Sequence, residues 1–215
     1  MKLTKKVLAV LKNFATINSG IIIKAGSSIQ TKSIEKNIFA QCDIDVEFPI
    51  EFCIFDLNEF LSTISIFNDP ELEFEEKYVT INEGKSSVRY YYSSPTVVTG
   101  VTKMPSFPEG KNKFSITQDE LLSLTKASNI LELNTLKLCN DAAGVSLIVT
   151  DVDNSTSNQF KQHIDTSDVE DFSDEVSIEY LKMLPLDYDV EVKSGMFIHL
   201  KNDKENIRYW VSVGV

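Results

Sequence analysis

Two stretches of this chain repeat the same order of elements, and that internal duplication most constrains what it can fold into. Each stretch opens with an amphipathic helix. In the first, Leu3, Val7, Val10, Leu11, Phe14 and Ile17 recur at helical spacing behind a capping Thr4. In the second, Thr117 caps and Glu120 completes a capping box, with Leu121, Leu124, Thr125 and Ser128 on one face. An offset of 114 lays Val7 on Leu121, Val10 on Leu124 and Lys12 on Lys126. Alternating strand-like segments follow, over 38–43 and 47–54 in the first stretch and 136–140 and 145–150 in the second. A second helix comes next. Asp56 caps Leu57, Phe60, Leu61 and Ile64, and Ser177 caps a short helix over 177–184 that holds Ile178 and Leu181 and stops near Pro185. Three strands close each stretch: 72–74, 78–81 and 88–91 answer to 190–192, 197–200 and 207–210, the last two pairs at an offset of 119. The pattern predicts an α+β fold of two similar domains, each with two helices packed on antiparallel sheet.

Pro95, Pro105, Pro108, Gly100 and Gly110 crowd the segment between the stretches, which reads as an extended connector. The expected division is residues 1–94 for the first domain, 95–112 for the connector and 113–215 for the second. At 215 residues, 42% hydrophobic and 25% charged, the chain has ample apolar mass for two such cores.

The formal net charge of −11 argues against a nucleic-acid binder until it is divided along the chain. Residues 1–34 hold six lysines and no acid, whereas residues 35–108 hold five bases and thirteen acids. A basic N-terminal element therefore sits in an acidic body. On the first helix Lys5, Lys6 and Lys12, with Lys2, fall opposite the apolar face, with Asn13 and Thr16 between them. Helices built for solubility mix signs and place acids in the first turn, where the dipole favours them. Lysines without acids there predict an anionic partner, and ammonium groups without interleaved aromatics suit phosphate-backbone contact rather than base reading. Lys126 and Lys182 are weaker echoes on the later helices.

No stretch reaches the roughly 20 apolar residues of a membrane helix, and the N-terminus lacks the apolar core of a secretory signal. Cys42, Cys53 and Cys139 have no Cys-x-x-Cys spacing, and with only His163 and His199 beside them they form no zinc pattern. Free thiols, no metal and no cofactor are expected. Phosphate-cradling glycine loops and nucleophile elbows are absent, so nothing recommends an enzyme. The run Asp165, Asp168, Glu170, Asp171, Asp174 and Glu175 reads as a solvated, self-repelling loop, ahead of a catalytic carboxylate pair. In the connector and last strand, Met104, Phe107, Pro108, Trp210 and Val211 combine a methionine, aromatics and prolines in the manner of a pocket for short peptides.

The segments Leu11-Lys-Asn-Phe-Ala-Thr-Ile-Asn-Ser-Gly-Ile21, Ile54-Phe-Asp-Leu-Asn-Glu-Phe-Leu61, Met104-Pro-Ser-Phe-Pro108 and Ile116-Thr-Gln-Asp-Glu-Leu-Leu122 give the chain a family likeness. It resembles the sliding clamps of T-even-type phages, ring-shaped processivity factors of DNA polymerase. The likeness spans nearly the whole chain, specific at the N-terminus and looser from about residue 155. It implies the DNA-clamp fold and a head-to-tail homotrimer that encircles double-stranded DNA without sequence preference. Helices would line the hole, so that Lys2, Lys5, Lys6, Lys12, Lys126 and Lys182 face the duplex. The implied partners are the replicative DNA polymerase, an ATP-driven clamp loader and late-transcription factors, in the cytoplasm of an infected bacterial host. The competing reading from the residues is an acidic interaction protein, such as a DNA mimic or a capsid-associated structural protein, whose carboxylates bind basic partners without a ring.

Overall fold

A computed structural model of the chain describes residues 1–141, 144–154, 156–165 and 169–214. Its contacts fall into two compact units, Met1–Pro105 and Ser106–Val215.

The first unit begins with α1, Lys5–Ile17, capped by Thr4, whose hydroxyl oxygen accepts from the Val7 N–H at 3.3 Å. Strands β1 (Ile21–Ile23), β2 (Gly26–Lys32), β3 (Ile38–Phe48) and β4 (Phe52–Ile54) follow, with β1 antiparallel to β4 and β2 to β3. The single strand expected over 47–54 is two. Its first residues finish β3, and Pro49, which has no N–H to give a ladder, breaks the run before β4. Helix α2, Leu57–Ile64, is capped by Asp56, whose Oδ1 accepts from the N–H groups of Asn58 and Glu59 at 3.0 Å. A meander of β5 (Glu71–Phe74), β6 (Tyr78–Glu83) and β7 (Ser86–Tyr91) completes the strands. Helices and strands enclose Val7, Leu11, Phe14, Leu57, Phe60, Ile29, Leu72 and Ile81, all buried. Beside them Phe52 packs against Phe48, Phe74 and Tyr92 with ring centroids 5.2–5.5 Å apart. Burial there, with Glu75 adding to it, pushes the Tyr92 phenol up to about 12.

The second unit repeats the order with one strand added in front: β8 (Asn112–Ile116), α3 (Gln118–Leu131), β9 (Thr135–Asp141), β10 (Gly144–Thr150), β11 (Phe160–Asp165) and β12 (Ser173–Ser177). After a short turn come β13 (Tyr188–Lys193), β14 (Phe197–Asn202) and β15 (Ile207–Ser212). Strands β11, β10, β9 and β12 form one antiparallel sheet in that order, and β15–β14–β13–β8 run side by side in another. The place β8 holds beside β13 is held in the first unit by Met1 alone, which exchanges two backbone hydrogen bonds with Leu72 of β5 at 2.7 and 2.8 Å. The Thr117–Glu120 capping box forms as the sequence predicts.

The helix expected over 177–184 does not form. Only Ile178–Tyr180 coils, as one 3-10 turn, and Ser177 makes no side-chain cap bond. Pro185 has no N–H to donate and disfavours helical geometry at Leu184.

The connector is tied down at both ends. In the first unit Val98 and Val101 are buried, and the Asn18 amide donates to Thr99 O at 2.7 Å. In the second, Gly110 lies so close to Val192 that a Cβ there would sit 2.8 Å from its carbonyl.

Candidate nucleic-acid and peptide interfaces

Helix α1 buries Val7, Val10, Leu11, Phe14 and Ile17, which fixes its outward face. At 100° per residue Lys5 and Lys12, seven apart, project about 20° from each other. Both are exposed, and neither has an ion-pair partner among the described residues. Lys6 is half-buried at the border of the face and already engaged in an interaction. The first turn holds no acid, so two cations stand at the positive end of the helix dipole.

Lys2 departs from the expectation. It precedes the Thr4 cap, lies outside α1 and forms an ion pair with Asp69, a partner 67 residues away. The Asp69 backbone is itself held by Glu83 at 2.7 Å.

On α3 the buried residues are Leu121, Leu124 and Ser128, and the opposite side carries Lys126 and Asp119. Leu122 and Ile130 are also outward, 46% and 67% exposed. Helix α2 has one charge, Glu59, which accepts from the Tyr90 hydroxyl at 3.1 Å. Burial and that carboxylate push the Tyr90 phenol up to about 12. Lys182 is exposed but sits beyond the 3-10 turn, so no helix face presents it.

Of the five residues read as a peptide pocket, the structure brings Phe107 and Trp210 together and sets Val211 apart. Alternation along β15 sends Val211 into the core beside Leu124 and Ile198, while Trp210 faces the other side of the sheet. There Trp210 stacks on Phe107 (centroids 4.7 Å, 11°) and on its cross-strand neighbour His199 (4.8 Å, 0°), and Phe107 meets Phe197 edge-on at 5.2 Å. Pro108 is exposed, and Met104, the last-but-one residue of the first unit, is half-buried. His199 Nδ1 lies 3.6 Å from Glu191 Oε2, and Glu191 Oε1 accepts from Lys113 at 2.8 Å. Burial pushes the imidazole below its ordinary value, with Glu191 pulling the other way. Burial alone would raise the Glu191 carboxyl, but Lys113 and His199 hold it below the usual range. Phe197, His199 and Glu191 escaped the sequence reading. Their signal is period-two alternation, which places Phe197, His199 and Trp210 on one face only once β14 is registered against β15.

The acidic run is not a free loop where it is described. Asp165 is the last residue of β11, paired with Gly144, and Asp168 lies outside the described residues. Glu170 pairs with Lys111 at 3.1 Å, and Asp171 accepts from the Asn140 amide at 3.0 Å. Asp174 is buried in β12, its Oδ1 accepting from the Gly195 N–H at 2.7 Å, so strand pairing and a turn anchor absorb these acids. Among the described residues no group of three or more His, Cys, Asp or Glu could hold a metal, and no helix is long and apolar enough to cross a membrane.

Two duplicated units of helices on antiparallel sheets, with a cationic helix face, define the clamp class of fold. The PCNA of Entamoeba histolytica superposes with a TM-score of 0.72 at 11% identity, covering 97% of this chain and 94% of that one. The A. fulgidus PCNA, solved with the C-terminal region of FEN-1 bound, gives 0.75 at 13% identity, covering 100% and 97%. In sequence, the DNA polymerase processivity factor family matches residues 2–98. The sliding clamp of Vibrio phage KVP40 is 33% identical over 199 residues, spanning 89% of this chain and 90% of the relative. That of Enterobacteria phage T4 is 32% identical over 140 residues, spanning 64% and 61%. The chain belongs to the phage sliding clamps, the processivity factors of DNA polymerase.

Proposed function

We propose that three copies of this chain close head to tail into a ring that encircles duplex DNA and tethers the replicative polymerase to its template. A clamp loader opens and closes the ring with ATP in the cytoplasm of the infected host, and the mobile ring also serves late transcription. The protein itself carries out no catalysis. Processivity then follows from topology. A closed ring cannot leave sideways, so weak, sequence-independent phosphate contacts suffice, and tight ones would stop the sliding.

The observation that carries this reading is α1, where Lys5 and Lys12 stand exposed and without an ion-pair partner among the described residues, in a chain of net charge −11. A head-to-tail interface needs two different surfaces on one chain. Each unit offers an edge strand of six residues: β7 ends the three-stranded β5–β6–β7 sheet, and β11 ends the four-stranded β11–β10–β9–β12 sheet. The opposite edges are partly taken: Met1 pairs with β5, and Gly214 donates to Glu175 of β12 at 2.8 Å. We assign β7 and β11 to the contact between copies.

Residues 95–112 serve as the interdomain connector, and its Phe107 occupies the surface where a partner docks. The ring of Phe107 on Trp210 displays the chemistry that surface accepts, an aromatic side chain on an extended, proline-flanked segment. Mass in solution over a concentration range, backed by particle images, tests the ring. A species of three times 24.2 kDa with a central hole supports it, and a stable monomer at high concentration refutes it.

A further inference from the structure

Superposed at the offset of 114, α1 and α3 keep the same buried positions. Val7, Val10 and Phe14 correspond to Leu121, Leu124 and Ser128, and all six are buried. The outward positions do the opposite. Lys5 corresponds to Asp119, Lys6 to Glu120, and Thr16 to Ile130, while Leu8 and Leu122, and Lys12 and Lys126, are alike. On each helix the two outermost charges stand seven apart, about 20° from one another. On α1 that pair is two lysines; on α3 it is Asp119 and Lys126, whose fields cancel toward a polyanion. The Glu120 carboxylate is turned back into the cap, bonded to the Thr117 N–H at 2.8 Å. The rest of the exposed α3 face carries no cation: Leu122 and Ile130 are 46% and 67% exposed, and the polar residues beside them are Ser123 and Asn129, the Ser123 hydroxyl donating to the Asp119 carbonyl at 2.8 Å.

We infer that the first unit alone makes the phosphate contact of this clamp, through Lys5, Lys12 and the border residue Lys6, while α3, with two acids to one lysine, does not hold DNA. This rests on the ring reading. A trimer would then carry three cationic strips, one from each copy.

The test is salt dependence. Wild type, Lys5→Ala/Lys12→Ala and Lys126→Ala are each titrated with a short linear duplex, without a loader, across a range of potassium chloride, and retention on nicked circular duplex after loading by a phage clamp loader with ATP is measured separately. Solution mass is measured in parallel. Removing one lysine–phosphate interaction lowers the slope of log binding against log salt by about 1. The double variant is expected to show at least that drop while keeping wild-type mass, and Lys126→Ala to keep the wild-type slope. An equal drop in Lys126→Ala, or none in the double variant, overturns the inference and leaves the ring standing. Failure of wild type to form a trimer or to stay on circular DNA instead strikes the ring reading itself.

Discussion

The two units solve one packing problem with different second helices, and the difference shows what a helix of this length needs. Helix α2 has an aspartate cap with two backbone bonds and four buried apolar residues, Leu57, Phe60, Leu61 and Ile64. Its counterpart has Ser177 without a cap bond, no buried residue within Ile178–Tyr180, and Pro185 close behind. Eight residues are marginal as a helix without a cap and an apolar face, and with both removed only a single turn survives. The cores differ as well, aromatic around Phe52 in the first unit and aliphatic under α3 in the second.

Four comparisons can break or sharpen that contrast. The largest effect is expected in the cores. Phe14→Ala and Leu124→Ala each remove a fully buried side chain, and denaturant unfolding should show losses of about 3–5 and 2–5 kcal/mol. A loss under about 1 kcal/mol in either would mean that its helix is not seated as described.

Next come the two connector glycines. A Cβ at Gly110 meets the Val192 backbone at 2.8 Å, and one at Gly100 meets Ile22 down to the root of its side chain, Cγ1 at 2.5 Å and Cβ at 2.8 Å, which cannot swing aside. Gly110→Ala and Gly100→Ala should therefore each destabilise by about 1–3 kcal/mol. A variant that melts like wild type would show that its glycine is packed differently.

The caps form a smaller pair. Asp56→Ala should lower stability by about 1 kcal/mol and Ser177→Ala by a few tenths at most, since only the first loses bonds. Equal losses would restore a true second helix to the second unit.

Smallest is a pH effect at His199. Its folded-state pKa lies below the ordinary 6.5, so the unfolded chain binds the proton more readily. The stability this gives is complete above 6.5 and is lost as pH falls toward the lowered value. Unfolding followed at about pH 7.5 and about pH 5.5 should show wild type losing more on acidification than His199→Gln. Trp210, the only tryptophan in the chain, stacks on this imidazole and reports the change by its emission.

What the sequence made legible is local. Helical spacing and Thr4, Asp56 and Thr117 caps placed α1, α2 and α3, and the matched offsets exposed the duplication. Pairs far apart in the chain were not legible. Lys2 reads as one more helix lysine until Asp69, 67 residues on, is found beside it. Trp210 and Val211 are neighbours in sequence yet face opposite sides of β15, which only the register against β14 reveals. The failed helix after β12 is intermediate, because its apolar spacing was real and Pro185 was visible, but the missing Ser177 cap bond was not.

The central claim is that topology, not affinity, holds this protein on DNA, and linearisation tests it most directly. Rings loaded onto nicked circular duplex are counted before and after one restriction cut, at a salt concentration where direct binding is negligible. If the account is right, they persist on circles and are lost through the free ends once the DNA is cut. Equal retention on linear and circular DNA would contradict it, since only ordinary binding could then be holding the protein in place.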